Sequence, residues 1–585
     1  MAAIISSNFR SLNAAAFVEE VKGDRSNVYI GLGKSSPWGG TTTANTSDTD
    51  APAPSDTLDG INEARQQLIG LKLVTDKDIS HVVPRYDWNP GAEFVAWDST
   101  DPAIHDKAFY CLTADFKVYK CIIAPVSGGV SDVPTHVDAA ITSTTDGYHW
   151  KYMYTILAAD SEKFLTNSYM PVKTLTEITT GVVAASLTST STFAINHEND
   201  RIIVGQKLTI AAGSGSGATG VPTDVTVASI SGKTLTTSAA IGAINAGNIV
   251  TFGDFLATDP RHSQQQSQIA SREITSAQGI ERLKLIAGGT GYNDDGTGIT
   301  ITITGDGSGV STPGAVKANY VSGGAFVSDI IINGDNATEG TDSVGADYSV
   351  AQAVIGGSSG SNASFVPIIS PRGRPGFNSS HANGGHGCDP VFELGGFYVG
   401  LNVQISGTAD SAIANTQDFR QISLIRNPLI GGVIPTNPAD AINTLKFITY
   451  DTAHTASSGS SGTNTYTNLG IQLAQAVQDN DHVLENGTTG FKGYIVNVDT
   501  TNKRIYYFQN DLTGYIPPTD ANMVIKTGGQ EISALALDAS AHDLGVNAAP
   551  SSFNAGSGEV LFLENRDPIQ RSTSQIEDVK LIIEF

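Results

Sequence analysis

The chain has 585 residues, of which 16% are charged, 40% hydrophobic and 62 glycine, a length for which about four units of structure are expected. Its 58 acidic and 34 basic residues give a net charge of −24, which excludes binding to nucleic-acid phosphates or to an anionic membrane through a basic surface. The apolar content excludes a disordered acidic tail.

Taken in chain order, a first helix is expected to be capped by Asn8, to carry Phe9, Leu12 and Ala16 on one face, and to end near Gly23. A second runs from Ser55 or Asp56 through Ile61, Ala64 and Leu68 to Gly70. Short strands follow at 201–210, 225–230 and 233–237. Ile299, Ile301 and Ile303 alternate with threonines ahead of a Gly305-Asp306-Gly307 turn, the period-two signal of a half-buried strand. At 419–429, Phe419 opens a strand that Asn427-Pro428 stops, because proline cannot donate to a ladder. A third helix is expected around Leu469, Leu473, Ala476 and Val477, and a hairpin from 494–498 and 504–508. A strand at 560–563 leads into a polar turn, Glu564-Asn565-Arg566-Asp567-Pro568. The last strand places Val579, Leu581, Ile583 and Phe585 on one side. The architecture is mainly β.

Composition divides the chain further. Residues 1–175 hold all four tryptophans, Trp38, Trp88, Trp97 and Trp150, and should form an aromatic core. Residues 176–257 are rich in Ser, Thr, Ala, Gly and Val and read as an inserted small β-barrel or sandwich. The Gly-rich stretch 258–435 returns to the core. A second inserted β module with one helix occupies 436–555, entered through a flexible segment at 457–462, and 556–585 supplies C-terminal core strands. The expectation is a discontinuous, multi-domain β-sandwich core with inserted modules and few short helices.

Three cysteines, Cys111, Cys121 and Cys388, are too few for a disulfide framework and fit a reducing cytosol. No basic stretch followed by an apolar run marks a signal peptide, and no run is long enough to span a bilayer. Gly33-Lys34-Ser35 invites a phosphate-loop reading, but the glycine required five positions earlier is Val28. His381, His386, Cys388 and Asp389 gather metal-ligand types within nine residues; no paired ligand motif lies elsewhere, and the glycine-rich setting favours an unusual loop. Asn293-Asp294-Asp295-Gly296 and Gly305-Asp306-Gly307 lack the spacing of a calcium loop and read as turns. No nucleophile elbow lies between a strand and a helix, and there is no His-Glu-x-x-His. No catalytic, cofactor or metal site is expected.

Several blocks, in order, resemble the baseplate wedge subunit of T-even-like contractile-tailed bacteriophages, the gene product eight family. They are Gly33-Lys34-Ser35-Ser36-Pro37-Trp38; Val83-Pro84-Arg85-Tyr86-Asp87-Trp88; and Asp146-Gly147-Tyr148-His149-Trp150-Lys151-Tyr152. Phe419-Arg420-Gln421-Ile422-Ser423-Leu424-Ile425-Arg426-Asn427-Pro428-Leu429, then Glu564-Asn565-Arg566-Asp567-Pro568-Ile569 and the closing strand, complete the series. The blocks cover 1–175, the stretch around 385–430, and 556–585, so the chain resembles an enlarged member carrying extra β modules. The resemblance implies a non-enzymatic virion protein of the tail baseplate, assembled in the host cytoplasm. It also implies a homodimer that binds other wedge subunits and repacks its interfaces at infection. Pro37, Trp38, Arg85, Asp87, Trp88, Trp150, Phe419, Arg420, Asn427, Pro428, Glu564, Asn565 and Arg566 are the motif residues expected to stabilise the fold or meet partners. A carbohydrate- or receptor-binding tail adhesin is the alternative, with a polysaccharide depolymerase as a third reading.

Overall fold

In the computed structural model, residues 4–22, 27–34, 38, 51–137, 141–175, 179–199, 201–210, 224–266, 268, 279–310, 320–332, 344–357, 360–371, 390–406, 413 and 418–430 are described. So are most of 432–443, the strands between 446 and 536, and 553–585 except 555 and 572–574. The fold is mainly β, built of many antiparallel sheets with few short helices. It divides into two compact units: Met1–Glu20, Ile79–Leu401 and Leu581–Phe585 form the first, and Val21–Asp78 with Asn402–Lys580 the second.

Alternation along two strands builds the core of the first unit. The sheet Tyr110–Leu112, Lys117–Ile123, His149–Thr155, Thr142–Ser143 is antiparallel throughout. Tyr110, Leu112, Val118 and Tyr154 point to one face, where they meet Val83 and Met170 of a second sheet, Asp578–Glu584, Tyr398–Gln404, Ile79–Pro84, Tyr169–Pro171. Cys111, Tyr119, Cys121, Trp150 and Tyr152 point to the other face and pack on Phe94, Val130 and Tyr148. Both faces are therefore covered, which is why these strands read as nearly continuous apolar runs.

Two smaller assemblies belong to the same unit. Between 179 and 255, the sheets Thr190–Ala194, Thr234–Ile241, Val227–Ser231 and Gln206–Ile210, Ile249–Phe255, Thr179–Val182 share a core of Phe193, Leu208, Leu235 and Phe252. Between 280 and 369, Ile280–Thr290 pairs along its length with Ser361–Ile369, and Thr300–Gly305 pairs with Ala351–Gly356. Their core includes Leu283, Tyr292, Ile301, Phe326 and Phe365.

The second unit contains a five-stranded sheet in the order Ala441–Asn443, Leu68–Leu73, Val28–Gly33, Phe419–Arg426, Glu559–Ile569. A six-stranded sheet includes Phe491–Asp499 paired with Arg504–Phe508, which is the hairpin read from the sequence.

Several local expectations change. The first helix is Ser7–Lys22; Ser6 Oγ accepts the Phe9 N–H at 3.3 Å, so Ser6 takes the capping role expected of Asn8. Its buried face is Ser11, Ala14, Ala15, Val18 and Val21, while Phe9 and Ala16 are exposed. The second helix is Leu58–Gln66, capped by Thr57. It stops short of Leu68 because Leu68–Leu73 is a sheet strand paired with Val28–Gly33, where Gly70 lets Ile413 approach its backbone. The strand expected at 201–210 begins only at Gln206. The expected linker at 457–462 is flanked by a short pairing of Ala456–Ser458 with Gly462–Asn464. The third helix lies outside the described residues.

Candidate functional site

The motif residues fall into two groups. In the second unit, Phe419–Arg426 lies between Val28–Gly33 and Glu559–Ile569, hydrogen-bonded on both sides. Phe419 and Arg420 are buried there. Asn427 ends the strand in a left-handed conformation, φ 52°, and its N–H donates to Asn27 O at 2.8 Å. Asparagine tolerates that region better than most residues, and Pro428 then prevents further pairing.

Glu564–Pro568 is not the expected turn. It is part of one strand, Glu559–Ile569, whose register jumps from Gln421↔Asn565 to Phe419↔Ile569, so the motif forms a bulge against Phe419–Arg426. The side chains hold the bulge in place. Gln421 Nε2 donates to Asn565 Oδ1 at 2.8 Å, Asn565 Nδ2 to Pro52 O at 2.9 Å, and Arg566 Nη2 lies 2.9 Å from Glu564 Oε1. The Trp38 indole N–H donates to Arg566 O at 2.9 Å, with Lys34 Nζ 5.5 Å from the ring centroid. Two blocks far apart in sequence thus meet at one partly exposed patch. Pro37 lies outside the described residues. Lys34 Nζ also faces Glu63 at 3.9 Å, which opposes an anion site at Gly33-Lys34.

In the first unit, Arg85 Nε bonds Asp87 Oδ1 at 2.7 Å and its Nη1 donates to Thr166 O at 2.9 Å. The Trp88 N–H donates to Leu112 O at 2.8 Å. Trp150 is fully buried, stacked on Tyr148 and edge-on to Phe94. These residues form corners and core.

The most concentrated chemistry was not read from the sequence. Lys120 and Lys151 stand directly opposite each other on adjacent strands, a like-charge juxtaposition that is unfavourable unless compensated. Both ammonium groups lie 2.9 Å from Glu393 Oε1, and Lys120 Nζ is also 2.6 Å from Glu281 Oε1. All four side chains are at most 1% exposed. Lys120 Nζ also lies 5.1 Å from the Trp97 ring centroid. Burial alone would raise the Glu393 pKa, but the two lysines outweigh it and hold the carboxyl below its ordinary range. The signal available in sequence was a lysine inside each of two runs otherwise apolar on both faces.

A cleft of about 670 Å³ opens in the same unit between the first turns of the first helix, the 97–105 segment and strands near 350 and 367. Part of its polar lining is engaged within the fold, while His105 Nδ1 has no hydrogen-bond partner among the described residues. Ser99 Oγ accepts from Ile369 N–H, Thr100 Oγ1 donates to Asp98, Ser370 Oγ accepts from Gly279 N–H, and Ser349 Oγ donates to Asp306. Trp97 and Phe397 are each 5% exposed, too little to serve as stacking platforms.

The aspartates of the glycine-rich turns also have internal roles. Asp306 Oδ1 accepts the N–H groups of Ser349 and Val350 at 2.9 and 3.0 Å. These bonds and that from the Ser349 hydroxyl hold its pKa at about 2. Asp294 and Asp295 accept from Gly324 N–H and Thr297 N–H. Among the described residues no cluster of three or more His, Cys, Asp or Glu is placed to hold a metal. His381, His386 and Cys388 lie outside them.

Residues 3–128 match the Phage-Gp8 family model, described as Bacteriophage T4, Gp8. This stretch of the chain is therefore similar to that protein, in agreement with the resemblance carried by the motif blocks. No curated protein matches the chain.

Proposed function

We propose that this chain is a structural, non-enzymatic component of the baseplate wedge of a contractile phage tail. In this reading it is assembled in the host cytoplasm and resides in the virion. It acts as a homodimer that holds neighbouring wedge subunits in register and repacks against them during infection. The observation that carries the reading is the match over 3–128, together with where those residues go in the fold. They supply Val28–Gly33 and Leu68–Leu73 at the heart of the five-stranded sheet, and Ile79–Pro84 and Lys117–Ile123 in the first unit. The later motif blocks at 419–429 and 564–569 pair onto that frame in sequence: Val28–Gly33 to Phe419–Arg426 to Glu559–Ile569. In the second unit the match and the later motifs share one sheet, and the stretches 176–257 and 436–555 are proposed as inserts, the latter contributing Ala441–Asn443 to the edge of that sheet. Packed interfaces switch between discrete arrangements rather than deforming gradually, which suits a mechanical role.

Electron microscopy of intact virions tests the placement. Density for the chain in the baseplate wedge is expected, and density at fibre tips would overturn it. Light scattering of the purified chain tests the dimer, against which a monomer throughout the micromolar range would count.

A further inference from the structure

We propose that Lys120, Lys151, Glu281 and Glu393 form an ionic latch that docks the Ile280–Ile369 region on the aromatic core of the first unit and allows it to detach as a body.

The region has a core of its own, made wholly from residues 280–365. Its attachment to the core beneath is of a different kind. Lys120 meets Glu281, Lys284 Nζ lies 2.6 Å from Asp98 Oδ2, and Arg282 Nη2 donates to Trp97 O at 2.7 Å while its Nη1 pairs with Asp329. The Trp97 indole N–H returns the contact to Ile369 O at 3.1 Å. Apolar anchoring comes from Val366 and Ile368 in one cluster and Ile331 in another. Three of the first five residues of Ile280–Thr290 thus spend their side chains on charged or polar contacts across the seam.

Such a seam behaves differently from an apolar one. Removing one partner of a buried ion pair leaves an uncompensated charge, which is strongly destabilising, whereas replacing the pair by apolar side chains is often neutral or stabilising. The latch therefore holds firmly while its charges balance and fails when one is lost. Glu393 steadies the latch from the core side, one oxygen meeting both opposed lysines, while among the described residues Glu281 crosses the seam to Lys120. The other oxygen of Glu393 has no hydrogen-bond partner among the described residues, so among them the two lysines are what balance this carboxylate.

Hydrogen exchange read by mass spectrometry on the full chain tests the latch. Lys120→Met and Glu281→Gln should each speed exchange in peptides from 280–369 by about tenfold or more, with peptides from 110–155 changing by less than about threefold. The charge-balanced double variant Lys120→Met/Glu281→Met should return exchange to within about threefold of the parent. Lys284→Met, at the half-exposed pair of the same seam, keeps the test open where a buried single variant fails to fold, and should give a smaller increase confined to 280–369. Unchanged exchange in the single variants, equal loss of protection in both regions, or a double variant as fast as the singles would overturn the proposal.

Discussion

His105 offers a test of the first unit in which the sign and size follow from its surroundings. The ring is boxed by Phe397, Trp97 and Phe109, with centroids at 4.9, 5.6 and 6.1 Å, and Nδ1 has no hydrogen-bond partner among the described residues. Burial pushes its pKa down from 6.5 to about 4; Asp106 acts the other way and Arg10 with the burial. A histidine kept neutral in the fold and free to protonate when unfolded makes the unfolded state bind more protons, so stability falls as pH drops through 6.5 towards 4. Nothing is lost at about pH 7.5, about 2 kcal/mol is lost by about pH 5, and about 3 kcal/mol by about pH 4. His105→Phe keeps a ring in the box and removes the titration. Urea unfolding followed by tryptophan fluorescence is expected to show the stability difference between variant and parent moving in the variant's favour by about 2 kcal/mol between about pH 7.5 and 5. A constant offset at the two pH values would refute the reasoning, whatever packing penalty the larger ring brings.

Three further outcomes follow from particular contacts. Gly31→Ala should destabilise the second unit by about 2 kcal/mol in urea, since the new Cβ would lie 2.5 Å from Ser423 Oγ and 2.7 Å from Leu68 Cδ2 inside the central strand; a neutral result would mean the sheet opens there without cost. Arg571→Ala should cost about 3 kcal/mol, because its guanidinium is fully buried, bonds Glu577 Oε2 at 2.6 Å through Nη2 and lies 5.9 Å from the Phe419 ring centroid; a loss under about 1 kcal/mol would place the pair among surface contacts. Cys111 and Cys121 are buried, and burial pushes both thiols well above their ordinary range, so iodoacetamide should label neither in the native chain and both in denaturant; native labelling mapped to either peptide contradicts that burial.

Legibility in sequence followed how far apart the interacting residues lie. The alternation of Ile299, Ile301 and Ile303 and of Val579 and Leu581 was enough to find Thr300–Gly305 and Asp578–Glu584, because each strand exposes one face. Leu68 reads as helical because it continues a helix-spaced series from Ile61 and Ala64, whereas the sheet needs the apolar run Leu68–Leu73 in full. Pairing overrode the local pattern. Glu564–Pro568 reads as a turn by composition, yet a bulge uses the same residue types within a continuous strand. The buried tetrad was hidden for a further reason: Lys120 and Glu281 are 161 positions apart and Lys120 and Glu393 are 273. A lysine in a strand ordinarily marks a solvent face, and only the partner shows otherwise.

The motif blocks therefore act chiefly on the course of the backbone, several of them through their side chains. Asn427 supplies a left-handed stop, Asn565 and Arg566 sit in a bulge, and Arg85 ties its own corner through Asp87 and Thr166 O. Residues of this sort fix where strands begin, kink and end, and their replacement should alter the frame before it alters any surface. Trp38 differs: its indole N–H is fixed on Arg566 O while part of its ring stays accessible beside Lys34 and the Glu564–Arg566 pair. An amphipathic aromatic ring held in place beside charged groups is the type of residue enriched where proteins meet. Among the motif residues, it is the one whose substitution best separates partner contact from fold.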